Sequence, residues 1–315
     1  MEILGNEENK KILEFASKEN LPTLIIGDTG CGKTSIVQAI GKVKKQQVIR
    51  FNLTGETTVD DFVGRKGLKA GETLWEDGVL LKAMREGYWL IVDEINSALP
   101  EILFVLHPLL DDSKEVLVTN NENEIVKPHK DFRFFATMNP VDEYAGTKEL
   151  NKAFKSRFDI VLQMGYPNST VEQEIIMSRT KVSLEQAFVM VNLASRVRKM
   201  KEKEEIFYTL STRDLIQWGN LTKNFGLDNA LELSILNKSD GDKEKIFNEY
   251  CNVNDRVKTI LRDNDEDSME AVLKKLENIN QYKKQIEKKI RKDLIEDFGR
   301  ISVEKMVKQV QQQLK

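Results

Sequence analysis

The chain has 315 residues, 40% apolar and 31% charged, with a net charge of -3, enough for two compact domains or one domain and an extension. That balance excludes a globally basic nucleic-acid or membrane surface, and two cysteines and two histidines without a CxxC exclude a disulfide framework and a dedicated zinc site. The acidic start MEILGNEENKK lacks a signal core, and apolar runs such as residues 24–26 and 89–92 are far too short for a bilayer, so a soluble, cytoplasmic protein without membrane contact is expected.

In chain order, apolar runs rich in β-branched and aromatic residues recur at 23–26, 47–53, 88–92, 132–137 and 158–164, separated by helical patterns at 33–43, 79–86 and 98–110. Alternation of this kind predicts an α/β unit with a parallel five-stranded sheet covered by helices on both faces. Ligands of such sheets gather at the carboxyl ends of the strands, so the residues after each run are the ones to watch.

All six prolines lie at or before Pro167 and only four of seventeen glycines follow it. A boundary near 166–168 and a mostly helical second half follow, with helices near 170–180, 184–201, 212–224 and 227–236. From about Asp255 the sequence is rich in Lys, Glu and Gln. There Met269, Val272, Leu276, Ile279, Ile286 and Ile290 follow three-four spacing, with Lys283 interrupting it, which suits either a helix packed on its own protein or a coiled-coil partner site. Lys283, Lys284, Lys288, Lys289, Arg291 and Lys292 read as a solvated basic face.

The first strand opens into Gly27-Asp28-Thr29-Gly30-Cys31-Gly32-Lys33-Thr34, followed by Ser35. This is GxxxxGK[ST] between a strand and a helix, the context in which backbone N–H groups wrap a phosphate. Lys33 is expected to reach the β- and γ-phosphates of a nucleotide, and Thr34 to ligate Mg²⁺. The strand Trp89-Leu90-Ile91-Val92 ends in Asp93-Glu94. Asp93 suits the Mg²⁺ shell, and Glu94 suits activation of the attacking water. The run at 132–137 ends at Met138-Asn139-Pro140. Asn139 could bridge γ-phosphate and water without adding charge, or simply turn the chain before proline.

These motifs resemble the MoxR/midasin-like, dynein-related branch of AAA+ ATPases. The likeness covers roughly 27–213 and includes Leu74-Trp75-Glu76-Asp77-Gly78, the run from Leu81 to Trp89, the segment 128–140, and the stretch from Ala145 to Phe158. It implies an α/β P-loop core at 1–166, an all-α lid at 167–254, and a charged helical extension at 255–315 that lies outside the likeness. It also implies ATP and Mg²⁺ as cofactors and self-assembly, usually into a hexamer. Arg157 matches the arginine finger that enters a neighbour's site, with Lys155 the nearby cation set aside. Ser211-Thr212-Arg213-Asp214 matches the lid's second sensor, with Arg213 on the γ-phosphate of its own or the neighbour's site. Ile3 and Leu4 are the candidates beside the adenine. A departure is Ser97, where MoxR relatives usually carry arginine.

Two hairpin insertions are expected at about 65–75 and 115–126, the second with Asn120-Asn121 at its tip. Residues 111–130 carry five acids against three lysines, and residues 67–78 three against one, whereas a DNA-gripping hairpin presents Lys or Arg. The first expectation is therefore an ATP-hydrolysing ring that remodels a protein partner, by resemblance one carrying a VWA/MIDAS domain. The alternatives are a nucleic-acid-dependent motor or restriction-type NTPase, and a nucleotide-gated scaffold with little turnover.

Overall fold

A computed structural model describes residues 7–69, 71–140 and 149–263. Its first elements are α1 (Glu7–Glu19), β1 (Thr23–Ile26), α2 (Lys33–Val43) and β2 (Val48–Asn52). The short α3 (Val59–Phe62) follows, closed by a reciprocal capping box between Thr58 and Asp61. Next come the hairpin β3 (Gly64–Lys69) and β4 (Glu72–Asp77), then α4 (Val79–Glu86), β5 (Trp89–Asp93) and α5 (Pro100–Leu110). A second hairpin, β6 (Val116–Val118) and β7 (Glu124–Val126), precedes β8 (Arg133–Met138), α6 (Lys152–Lys155) and β9 (Ile160–Gln163).

The main sheet has five strands in the order β2-β5-β8-β1-β9, all parallel. It is apolar on both faces, as a sheet covered by crossover helices must be. Leu24, Leu90, Val92, Phe134 and Ala136 pack with Leu80, Leu81, Met84, Ile102 and Leu106 on one side. Ile25, Trp89, Ile91 and Phe135 pack with Leu13, Ile36, Val37 and Ile40 on the other. The alternation along each strand follows the period of two, so uninterrupted apolar runs serve two cores at once.

Both hairpins form where the sequence expects them, and Arg85 on α4 ties them together. Its guanidinium lies 2.9 Å from Asp77 of β4 and 2.7 Å from Glu124 of β7. Leu117 and Ile125 face each other across the β6–β7 pair and are exposed, while Val116, Val118 and Val126 turn inward.

After β9 the described chain is helical, with α7 (Ser169–Thr180), α8 (Leu184–Glu202), α9 (Thr212–Ser234) and α10 (Lys243–Asp263). Asn168, Ser183 and Ser211 cap the first three by accepting from backbone N–H groups of the first turn. Within α9, Gly226 departs from helical geometry at φ 74° and ψ 169°. That break separates the two helical stretches expected at 212–224 and 227–236, and the buried Trp218 indole donates across it to Leu227 O at 2.9 Å.

Some local details differ from expectation. Helix α5 begins at Pro100 rather than residue 98, because a 3-10 turn over Ile95–Ser97 intervenes and proline favours the first helical position. The last strand begins at Ile160 rather than residue 158, since Phe158 is drawn into the aromatic cluster with Phe134 and Phe154. Helix α10 carries Ile246, Tyr250, Val253 and Val257 at four-three-four spacing, is not among the helices expected above, and runs through the expected boundary at 254/255. The chain divides into two compact units, Met1–Tyr250 and Cys251–Lys315. The stripe from Met269 to Ile290, the basic cluster at 283–292, Ile3, Leu4 and residues 145–148 lie outside the described residues. No helix among the described residues is long and apolar enough to cross a membrane.

Candidate nucleotide-binding site

Strand β1 delivers the phosphate loop at its carboxyl end, flanked by the ends of β8 and β9, with Gly27 N–H donating to Met138 O at 3.3 Å. The loop from Gly27 to Ser35 curls through left-handed backbone at Gly30 (φ 74°) and Gly32 (φ 101°), and α2 starts at Lys33. A Cβ at Gly30 would stand 2.7 Å from both Cβ and Oγ of Ser211 and 3.3 Å from Cβ of Arg213. Glycine is required there for backbone conformation and for the close approach of the α9 terminus. Inside the loop Cys31 is buried, and burial pushes its thiol pKa up, so it packs rather than reacts.

Lys33 is the buried cation of the site. Its ammonium donates to Gly27 O at 2.6 Å, Asp28 O at 2.9 Å and Asn139 Oδ1 at 2.9 Å. Burial lowers its pKa, the nearby Arg213 lowers it further, and Cys31, Asp28 and Asp93 act the other way. An ammonium held among neutral oxygens in a low-dielectric pocket lacks a full counter-charge, and phosphate oxygens would supply it. The donor set therefore fits a nucleotide phosphate.

Asp93, 3% exposed, ends β5. It accepts from the Thr34 hydroxyl at 2.8 Å and from the Thr137 hydroxyl at 2.7 Å, both on Oδ1. The Arg50 guanidinium pairs with its other oxygen. Thr34 and Asp93 thus present two hard oxygen ligands side by side, the pairing by which Mg²⁺ is held with one or two protein groups and substrate phosphates. Thr137 and Arg50 were not legible as site residues. Thr137 is one of many threonines in an apolar strand, and Arg50 becomes a partner only because β2 lies beside β5.

Glu94, next in sequence, is exposed and holds a left-handed backbone at φ 56° and ψ 45°. Such a conformation is uncommon for a residue other than glycine, and local strain of this kind clusters at functional sites. It turns the chain sharply out of β5, so that Asp93 faces inward to Thr34 while Glu94 faces solvent. Asn96 follows in the 3-10 turn, buried with neither side-chain amide atom hydrogen-bonded among the described residues.

The helical region closes on the same loop. Gly30 abuts Ser211, and Arg213 is among the charges felt by Lys33. Arg213 is therefore brought beside the phosphate loop of its own chain. Arg157 is not. It precedes β9, whose first residue Ile160 pairs with Thr23, whereas the phosphate loop follows Ile26 at the other strand end, about 10 Å further along at the usual rise. Its guanidinium pairs with Asp111 at the end of α5, and its Nε is buried without a hydrogen-bond partner among the described residues. Burial, and then the Arg157 charge, lower the pKa of His107 beside it. Lys155 is the last residue of α6, two positions before Arg157.

Two family models match the chain. One, the AAA domain of the dynein-related subfamily, covers residues 22–158. The other, the CbbQ/NirQ/NorQ C-terminal region, covers residues 172–246. The chain is 38% identical over 162 residues to midasin from Giardia intestinalis, covering 51% of this chain and 3% of that protein. It is 30% identical to Protein NorQ of Paracoccus denitrificans, over 74% of this chain and 85% of NorQ. Against the denitrification regulatory protein NirQ of Stutzerimonas stutzeri the identity is 32%, over 68% of this chain and 75% of the relative.

Proposed function

Since the chain belongs to the MoxR/midasin-like, dynein-related family of AAA+ ATPases, we propose that it hydrolyses Mg·ATP in a self-assembled ring and spends the energy on remodelling a protein partner. The observation that carries this is the convergence of three strand ends on one point. Lys33 from the loop after β1 bonds Asn139 after β8, and Thr34 bonds Asp93 at the end of β5.

In this proposal Lys33 and the loop N–H groups bind and orient the phosphates, while Thr34 and Asp93 hold the metal. When bound, Mg·ATP supplies the transferable phosphoryl group and a divalent charge that offsets its oxygens. Glu94 accepts the proton of the attacking water, and Asn139 orients that water without adding charge. Residues 1–166 form the nucleotide-binding core, 167–254 the lid and 255–315 an extension. Arg213 reaches the phosphates of its own chain. Arg157, directed away from its own loop, completes the site of a neighbour, and hydrolysis is coupled to ring geometry. The acidic hairpins favour a protein partner over nucleic acid. In these terms the chain is a chaperone-like ATPase, and a partner with a VWA/MIDAS domain is the first to test.

The test is specific Mg·ATPase activity across a wide range of protein concentration. A rate per chain that climbs with concentration is expected for a site completed between subunits. A rate that stays flat down to monomeric concentrations overturns the role of Arg157, and no rate at any concentration overturns hydrolysis by the chain alone.

A further inference from the structure

Two adjacent residues of the phosphate loop are the start and the end of a closed circuit of side chains that runs through the helical region. It begins at Thr29, whose carbonyl accepts from the Tyr166 hydroxyl at 3.2 Å. Tyr166 lies just after β9, where the α/β sheet gives way to helices. The guanidinium of Arg198, on α8, lies over its ring at 3.8 Å from the centroid.

Arg198 then makes a bidentate pair with Glu172 of α7, at 2.9 and 2.7 Å, and its Nε donates to Leu210 O at 2.7 Å. Glu172 also accepts from the Thr212 hydroxyl at 2.6 Å. Thr212 is flanked by Ser211 and Arg213, the residues that abut Gly30. Thr29 and Gly30 are thereby joined through α7, α8 and the first turn of α9.

The joint is rigid for physical reasons. The Arg198 side chain is 14% exposed and that of Glu172 only 1%. A planar fork bonded at both ends to one carboxylate, capped on its face by an aromatic ring and held at Nε, has no spare rotamer. Buried charges of this kind must stay paired, since releasing either leaves an uncompensated ion. A displacement of the phosphate loop at Thr29 therefore moves the start of α9 with it.

We propose that Arg198 and Tyr166 are positioning residues for Arg213, an inference that rests on the assignment of Arg213 to the γ-phosphate. They set how far Arg213 extends over the loop and so how strongly a triphosphate is favoured over a diphosphate. Neither residue touches the nucleotide in this role. Lysine at position 198 keeps the charge but loses the fork, the Leu210 contact and the flat face on Tyr166. Phenylalanine at position 166 keeps the ring and removes the hydroxyl that bonds Thr29.

The experiment measures ATP and ADP affinities with fluorescent nucleotides in the full chain carrying Glu94→Gln, so that ATP survives the titration. Arg213→Ala, Arg198→Lys and Tyr166→Phe are added singly, and each of the last two is combined with Arg213→Ala. The ATP-over-ADP preference is expected to fall on the order of tenfold with Arg198→Lys, and about threefold with Tyr166→Phe, from loss of charged and neutral hydrogen bonds. Neither should deepen the loss in the Arg213→Ala background, because the pairs act through one residue. Tyr166→Phe preserves the buried ion pair and keeps the test decisive should Arg198→Lys fold poorly. Equal weakening of both nucleotides is the mark of a merely structural joint and overturns the proposal. So does a fall that multiplies with Arg213→Ala, or an unchanged preference in Arg198→Lys and Tyr166→Phe. If Arg213→Ala alone leaves the preference intact, the Arg213 assignment fails and the inference with it. If the Glu94→Gln parent binds neither nucleotide, the phosphate-loop reading fails first.

Discussion

Asp93 and Glu94 are neighbours in sequence with opposite surroundings, and it is on those surroundings that the separate roles proposed for them rest. Asp93 is buried under two hydroxyls and a guanidinium, all donors, which keep it a fixed acceptor. Glu94 sits in solvent on left-handed backbone, free to meet a water. Glu94→Gln is therefore expected to keep nucleotide affinity and lose turnover by about 10²–10⁴, the range for general acid–base catalysis. Lys33→Ala is expected to lose affinity itself, because the loop's only buried ammonium goes with it. Fluorescent-nucleotide binding beside phosphate release separates the two. Wild-type turnover in Glu94→Gln would mean another base, and unchanged binding in Lys33→Ala would remove the phosphate-loop assignment.

Among elements, β3–β4 is a ladder of six residue pairs, whereas β6–β7 has three and is tied to α4 through Arg85 and Glu124. Arg85 holds the Glu124 carboxyl below its usual pKa by hydrogen bonding, with Asn121 adding to the effect. For an acid with a depressed folded pKa, the stabilisation is present above the unfolded pKa and lost as pH falls through the folded value. Local opening of β6–β7 should thus be insensitive to pH near neutrality and rise only below the ordinary carboxylate range. Hydrogen exchange of amides at 116–126, followed against pH, reads this directly. Arg85→Gln should raise exchange at neutral pH and flatten the acid response, and an unchanged profile would show the pair to be incidental.

At the scale of the molecule, one chain holds Arg157 at the strand ends remote from its own phosphate loop and pairs it with Asp111. If the finger serves a neighbour, Arg157→Ala should bind nucleotide normally and lose a large part of its rate, about 10³-fold or more. Mixing it with Lys33→Ala should then restore activity, since a Lys33→Ala chain still offers its finger to an intact nucleotide site. Phosphate release from the mixture checks this. A mixture no more active than its components would leave Arg157 a structural residue of the α5–α6 corner.

Much of this molecule is written in local chemistry. Gly30 and Gly32 specify positive φ, the apolar runs specify strands, and the abrupt carboxylates and amide at 93, 94 and 139 mark strand ends. Each of these signals is complete within a few residues, so the α/β fold, the glycine turns after β1 and both hairpins could be read from the chain alone. What the tertiary structure decided is partnership. Arg50 meets Asp93 only because β2 is the neighbour of β5, and Tyr166, Arg198, Glu172 and Thr212 meet only because three helices pack behind the loop. Arg213 comes to its own loop and Arg157 leaves it for the same reason. Spacing along the chain specifies the conformation of a segment, whereas the pairing of distant charges depends on strand order and helix packing, which no single segment encodes.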